Sequence, residues 1–135
     1  MTRQFPIIAA LLALAACGDQ TTEAPGGGGG PPPMPEPVTL ADRPGATGGE
    51  ELYVVKCLMC HGANGMGQGL LARRLDEADL EQRADLSADY VITAARMGIG
   101  NMPAIPRGEV SDEQMAQIAE YLAAGPHTPA AGAGQ

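Results

Sequence analysis

Residues 56–62 read Lys-Cys-Leu-Met-Cys-His-Gly, and they limit what the chain can fold into more than any other stretch. Two thiols stand three positions apart with an imidazole directly behind: Cys57, Cys60 and His61. A redox dithiol, half of a zinc site and a covalent haem anchor all use such a group, and each asks something different of its surroundings. A thioredoxin-like dithiol needs a strand ahead of it in a βαβ pattern, and none is legible here. A structural zinc site needs four ligands. The other histidine, His127, lies in a Gly/Pro/Ala-rich tail where solvation is its simplest fate. Haem attachment remains, and the spacing has a physical reason. Two intervening residues on a helical turn place both sulfurs along the porphyrin edge that carries the vinyl groups. The next residue then presents its imidazole to the iron.

Composition agrees that something large and apolar, not encoded in the chain, sits inside. The 135 residues allow one domain at most, and 19 Gly and 12 Pro are clustered. There is no Trp, with three Tyr and one Phe. Below roughly 80 residues a core of side chains alone is marginal, and a cofactor often supplies the missing stabilisation. A net charge of −8 and a pI near 4.5 repel phosphate backbones and exclude a nucleic-acid partner. The same charge suits a partner with a neutral or basic patch, and equally keeps an exported protein soluble.

The chain divides by composition. Residues 1–17 carry an early Arg and an apolar run from Ile7 to Ala16. The run is shorter than the roughly 20 residues of a spanning helix and fits an export signal. Its end, Leu14-Ala15-Ala16-Cys17, resembles the lipobox of bacterial lipoproteins. That likeness implies cleavage before Cys17, a lipid on its thiol and a membrane-tethered protein in the bacterial periplasm. The plain alternative is cleavage after Ala15, with Cys17 a small residue near the new end. Residues 18–44, with Gly26–Gly30 and Pro31–Pro33, read as a flexible tether reaching roughly 25–30 Å. Residues 45–125 are the folded head, in which acids outnumber bases. Residues 126–135 read as a disordered tail.

The head reads as all-α, without sustained period-two alternation. Glu50 to Cys60 is a helical stretch with Leu52, Val55 and Met59 on one side. Asp76 to Arg83 is a short helix with Asp76 as N-cap. Ser87 caps a helix through Met97, with Val91, Ile92 and Ala95 inward and Gly98 as the stop. Ser111 to Ala124 is the clearest case. Ser111 and Gln114 form a capping box, and Met115, Ile118, Ala119 and Leu122 make one apolar stripe.

An electron-transfer haem needs a sixth ligand, and methionine sulfur is a soft partner that raises the potential. Met59 sits between the cysteines and cannot reach the far face. Met115 belongs to the last helix's stripe, Met66 to the loop on the histidine side, and Met97 to a helix end. Met102 lies in Gly98-Ile99-Gly100-Asn101-Met102-Pro103, an irregular loop able to lie across a flat cofactor, and is the residue this reasoning selects.

With these residues the head resembles the class I c-type cytochromes, in their small bacterial single-haem group. The likeness runs over residues 45–125 and rests on Cys57-Leu58-Met59-Cys60-His61, the Asn101-Met102-Pro103 loop and the final helix. Gly49, Tyr53 and Cys57 repeat the family's four-residue spacing of Gly, aromatic and first Cys. Ile118 and Tyr121 match its aliphatic/aromatic pair on the last helix, and Gly49 lets the two helices approach closely. The resemblance implies a cytochrome c-like fold of about four short helices around one covalent haem c, ligated by His61 and Met102. One departure stands out. Relatives often have a Pro about a dozen residues after the haem His, whose carbonyl accepts the imidazole N–H. This chain has none there, so the acceptor falls to a carbonyl near Gly69 or Leu70. Arg73 and Arg74 are candidates to pair with a haem propionate.

The function that follows is single-electron transfer through the haem edge, with no catalytic residues of the chain's own. Met66, Leu70 and Ile99 would ring a small docking surface for transient encounters. The resemblance implies a periplasmic dehydrogenase as donor, and an oxidase or another cytochrome as acceptor. Two rivals differ in kind. A haem enzyme or ligand sensor needs a labile sixth site and a distal His or Arg, and only Arg96 and Arg107 lie near the Met102 loop. A fixed cytochrome subunit of a dehydrogenase would stay bound to its partner.

Overall fold

Residues 36–128 are described by the computed structural model. The expected export signal, Cys17 and the greater part of the expected tether lie outside them, as does the tail beyond 128. Five helices follow in order: α1 (Gly49–Lys56), α2 (Leu58–His61), α3 (Met66–Leu71), α4 (Ala88–Met97) and α5 (Asp112–Ala123). Among the described residues no strand forms, only an isolated bridge between Ile99 and Met102. No helix among them is long and apolar enough to cross a membrane.

The helix ends follow side-chain chemistry. Ser111 accepts from the Gln114 amide while the Gln114 side chain accepts from Ser111 N at 3.0 Å, so the capping box starts α5 as expected. Ser87 accepts from Tyr90 N at 3.2 Å and starts α4. Gly98 ends α4 at φ 75°, a conformation that L side chains rarely adopt. A Cβ there would also stand 2.7 Å from the Met102 carbonyl. The glycine therefore both stops the helix and lets the Met102 loop fold back on it.

The core forms where α5 crosses α1 and α4. Met115, Ile118, Ala119 and Leu122 are buried as one stripe. The α1–α5 crossing depends on Gly49: a Cβ would overlap the Gln117 carbonyl and lie 2.7 Å from Tyr121 Cβ. Tyr53 and Tyr121 meet there with ring centroids 5.9 Å apart. Burying Leu122 or Ile118 stabilises the fold by an amount whose loss on truncation to Ala is about 2–5 kcal/mol.

Several expectations need correction. The helix expected over Glu50–Cys60 is two helices. Cys57 interrupts it at φ −124°, and its carbonyl accepts from both Cys60 N and His61 N. The buried face is Tyr53, Val54 and Leu58, while Val55 is 56% and Met59 75% exposed. The aromatic Tyr53 removes far more surface from water than Val55, so it takes the position facing α5. The helix expected over Asp76–Arg83 is absent. Side chains there bond locally, Asp79 to Glu81 N and Glu77 to Asp79 N, in competition with helical bonding. Instead α3 forms from a Gly-rich stretch of weak propensity. Gly67 permits it, because a Cβ there would stand 2.8 Å from the Cys60 carbonyl.

The head also extends past both expected ends. Val38 and Leu40 pack against the core. Arg43, assigned to the tether, is buried and grips Glu81 with two bonds of 2.6 and 2.7 Å. Tyr121 donates its hydroxyl to the same carboxylate. His127, expected to be solvated, donates its amide to the Glu81 carbonyl at 2.7 Å and stacks on Tyr121 at 4.0 Å. Its Nε2 donates to the Tyr121 carbonyl at 2.7 Å. Segment 79–83 thus clasps both ends of the head.

Candidate functional site

A cavity of about 340 Å³ opens between α2, α3 and α4, floored by α5. Its wall is assembled from distant parts of the chain: Tyr53 from α1, Leu70 and Leu71 from α3, Leu86 before α4, and Met115, Ile118 and Leu122 from α5. The stripe that makes α5 fold is therefore also the cavity floor. Cys57, Cys60, His61 and Met102 all line this one cavity. Cys17, the remaining site residue expected from the sequence, lies outside the described residues.

Local structure accounts for how each side chain arrives. The one-turn α2 carries Cys60 and His61, and Cys57 sits at the break before it. Both cysteines are unbridged. Burial pushes the Cys57 thiol up to about 11, the opposite of the depressed value a reactive dithiol requires. His61 is shifted down by burial, which favours the neutral imidazole that a metal ligand must be. Among the described residues no three His, Cys, Asp or Glu side chains gather as a metal site.

The His61 ring edge does not find its expected acceptor. Residues 69 and 70 belong to α3, and neither carbonyl accepts from the ring Nδ1. Nδ1 is buried without any hydrogen-bond partner. Gly67 lies against the ring, since a Cβ would stand 3.3 Å from His61 Cε1. A buried, unpartnered imidazole on an apolar cavity wall is costly as a packing element alone. With both thiols, this imidazole and Met102 on one mainly apolar wall, the residues present accept a haem.

The opposite wall is the loop after α4. Ile99 N donates to Met102 O and Met102 N to Ile99 O, both at 3.0 Å, which closes a tight turn over Gly100 and Asn101. Met102 is half-buried and packs against the core cluster. Met66 and Met115 line the cavity too, but Met115 is packed in the α5 stripe and Met66 is 68% exposed. Met59 and Met97 do not line it. Arg96, a candidate distal group for the enzyme reading, points elsewhere. It donates to the carbonyls of Ile105 (3.0 Å) and Ser111 (3.1 Å) and to Asp112 (2.9 Å). Arg107 also bonds Asp112, and neither arginine lines the cavity.

Sequence reasoning missed the part of the wall made by Leu80, Arg83, Leu86 and Tyr90. It also missed the Glu81 clasp that holds segment 79–83 in place. The available signal was Arg43, a lone cation amid Gly and Pro, and nothing local says that its partner is 38 residues away.

Comparison with known proteins bears on the same stretch. Residues 44–122 match the family model described as cytochrome C oxidase, cbb3-type, subunit III. The 4-cresol dehydrogenase [hydroxylating] cytochrome c subunit of Pseudomonas putida is 38% identical over 84 residues. The alignment covers 62% of this chain and 64% of that protein, less than two thirds of the relative's length. No solved structure matches the chain.

Proposed function

The chain belongs to the cytochrome c family whose model is described as cytochrome C oxidase, cbb3-type, subunit III, and from that premise we propose that it is a single-electron carrier with one covalently attached haem c. The observation that carries this reading is the convergence of Cys57, Cys60, His61 and Met102 on one apolar cavity. In that cavity Cys57 and Cys60 would hold the haem through their sulfurs, and His61 and Met102 would ligate its iron. Haem iron supplies a one-electron couple there. The chain's own contribution is to keep the ligand set fixed and the site dry. Met102 is braced by its turn with Ile99, and the apolar wall lowers the local dielectric and raises the potential. Met66 and Ile99, exposed at 68% and 54% on the cavity rim, form with Leu70 the small patch through which a redox partner approaches.

The relative's description favours a second, compatible reading, in which the domain is stationed as the cytochrome subunit of a dehydrogenase. A dehydrogenase is then the donor, and an oxidase or another cytochrome the acceptor. Export to the bacterial periplasm and a lipid on Cys17 complete the proposal.

The test is the visible spectrum of the full chain matured with haem, oxidised and reduced, with and without carbon monoxide. The expected result is a covalent low-spin haem with a methionine-to-iron band and no response to carbon monoxide. Met102→Ala then loses the band and binds carbon monoxide. Ready carbon monoxide binding by the wild-type chain shows an open sixth site and replaces the carrier with the sensor or enzyme reading. Co-purification with a dehydrogenase separates the stationed subunit from the free carrier.

A further inference from the structure

His61 lines the cavity, and of its two ring nitrogens it is Nδ1 that is buried without a hydrogen-bond partner among the described residues. Nε2 is left as the nitrogen for the cavity. A ligating imidazole ordinarily donates its second N–H to a carbonyl or carboxylate, which fixes the ring and makes it a better electron donor. The segment against this ring, the start of α3, uses its carbonyls internally. Gly65 O accepts from Gly69 N and Gln68 O from Ala72 N, both at 2.9 Å. Leu71 O accepts from Arg74 N and Leu75 N at 2.8 and 3.0 Å. The helix that forms beside His61 is thus the reason why its N–H finds no carbonyl there.

Contact takes the place of that bond. A Cβ on Gly65 would overlap the Cys60 carbonyl, and one on Gly67 would stand 2.8 Å from it. The Gly67 position also lies 3.3 Å from His61 Cε1, the ring carbon between the two nitrogens. The backbone of α3 therefore touches both the peptide before His61 and the ring itself. The last torsion of a histidine side chain has a broad, weak preference of its own, so an unbonded ring takes its orientation from its neighbours. Gly69, two residues on in the same helix, has nothing within 4 Å of its Cβ position. Close approach thus demands glycine at 67 and not at 69.

We infer that Gly67 is a positioning residue for His61: its backbone holds the ring by contact where a hydrogen bond would otherwise do so, and the unbonded Nδ1–H leaves the imidazole a weaker donor through Nε2. This rests on the haem reading above. A weaker donor stabilises the ferric state less, so the potential is higher than the same site would have with an acceptor at Nδ1.

The experiment compares the full haem-loaded wild type with Gly67→Ala, Gly67→Ser and Gly69→Ala, by NMR and by redox titration. In the reduced wild type the His61 Nδ1–H proton resonates upfield of hydrogen-bonded imidazole protons and shows no exchange with bound water. Gly67→Ala turns the ring, read as a changed spread of the haem methyl resonances in the oxidised protein. Gly69→Ala leaves that spread in place. Gly67→Ser sets a hydroxyl oxygen beside the ring edge as an acceptor, so the N–H proton moves downfield and the potential falls below that of Gly67→Ala. A merely structural role would lower the unfolding midpoint of both Gly67 variants without separating their potentials. A hydrogen-bonded N–H in the wild type, to a carbonyl or to a bound water, overturns the inference, and this measurement needs no variant to fold. Identical methyl spectra for wild type and Gly67→Ala overturn it too, as do equal potentials for the alanine and serine variants. Absence of covalent haem in the wild-type chain is seen separately, in the denatured-haem spectrum. It overturns the proposed function together with this inference, whereas the other outcomes leave that function standing.

Discussion

Removing the charge of Glu81 tests how the cavity wall is held. Arg43 and Glu81 expose only 6% and 7% of their side chains, so the pair is screened little by solvent. Three hydrogen bonds converge on the carboxylate, two from Arg43 and one from Tyr121. In Glu81→Gln the Arg43 guanidinium remains buried with Glu50, 3.5 Å away and 34% exposed, as its nearest acid. Breaking a buried pair from one side costs about 3–5 kcal/mol, and Glu50 places the expected loss at the low end, ~3 kcal/mol. For a domain of this size that lowers Tm by roughly 12 °C or more. Thermal and urea unfolding of the full chain would be followed for wild type, Glu81→Gln, Arg43→Met and the double variant. The double variant should recover most of the loss, because it leaves no uncompensated charge. A Glu81→Gln loss below about 1 kcal/mol, or strictly additive losses, would refute the argument that this pair acts as a buried clasp. The pH dependence has a fixed sign. Burial alone would raise the Glu81 carboxyl, but the bonds from Arg43 and Tyr121 outweigh it and hold the value below the ordinary 4.5. The stabilisation is therefore complete above the unfolded-state value and disappears as pH falls through the folded-state value. Glu81→Gln should be missing that acid-side decline.

Two further substitutions probe the frame around the cavity. Gly49→Ala places a Cβ on the Gln117 carbonyl, so α1 and α5 must separate; a loss of about 1–3 kcal/mol is expected by urea unfolding. An unchanged midpoint would show that the crossing has slack. Arg96→Ala removes the donor that ties Ile105 to Ser111 and Asp112, with an expected loss of ~1–3 kcal/mol. Because Ile105 follows the Met102 loop, the methionine-to-iron band should also vanish on heating before the helical signal does. Simultaneous loss of the two signals would assign Arg96 to global stability alone.

What was legible in the sequence is what local chemistry decides. Ser111 with Gln114, Ser87 and Gly98 fix helix ends through bonds spanning a few residues, and the structure has those ends. The α5 stripe was legible because one helix buries one face continuously. Segments 50–60 and 76–83 failed for a shared reason. Each is short, and its fate is set by a partner elsewhere: Tyr53 by Tyr121 and α5, Glu81 by Arg43. The expected Leu52–Val55–Met59 face obeys helical periodicity, yet Val55 and Met59 point outward, because periodicity says which residues share a face and not which face is covered. Type and spacing single out Cys57, Cys60, His61 and Met102 as candidates, whereas the wall they share with Leu86 and Tyr90 was not legible, since it exists only after the chain folds.

The small number of aromatic residues, first a puzzle for core filling, becomes part of the design once the cavity is considered. Met115, Ile118 and Leu122 belong to the buried core and also to the cavity wall. Their side chains face two ways, toward α1 and α4 and toward the space beside His61. A larger aromatic at those positions would fill that space and give a tighter head unable to admit a flat cofactor. Medium-sized aliphatic side chains leave the room, at the cost of contacts that the chain cannot make with itself. The haem of the proposed function would restore those contacts. Folding and cofactor attachment are then thermodynamically linked, and whatever binds only the folded head stabilises it by mass action or, when tethered, by an effective concentration that does not dilute. On the proposed reading, attachment through Cys57 and Cys60 would serve the folding of this small, aromatic-poor head as well as retention of its redox centre.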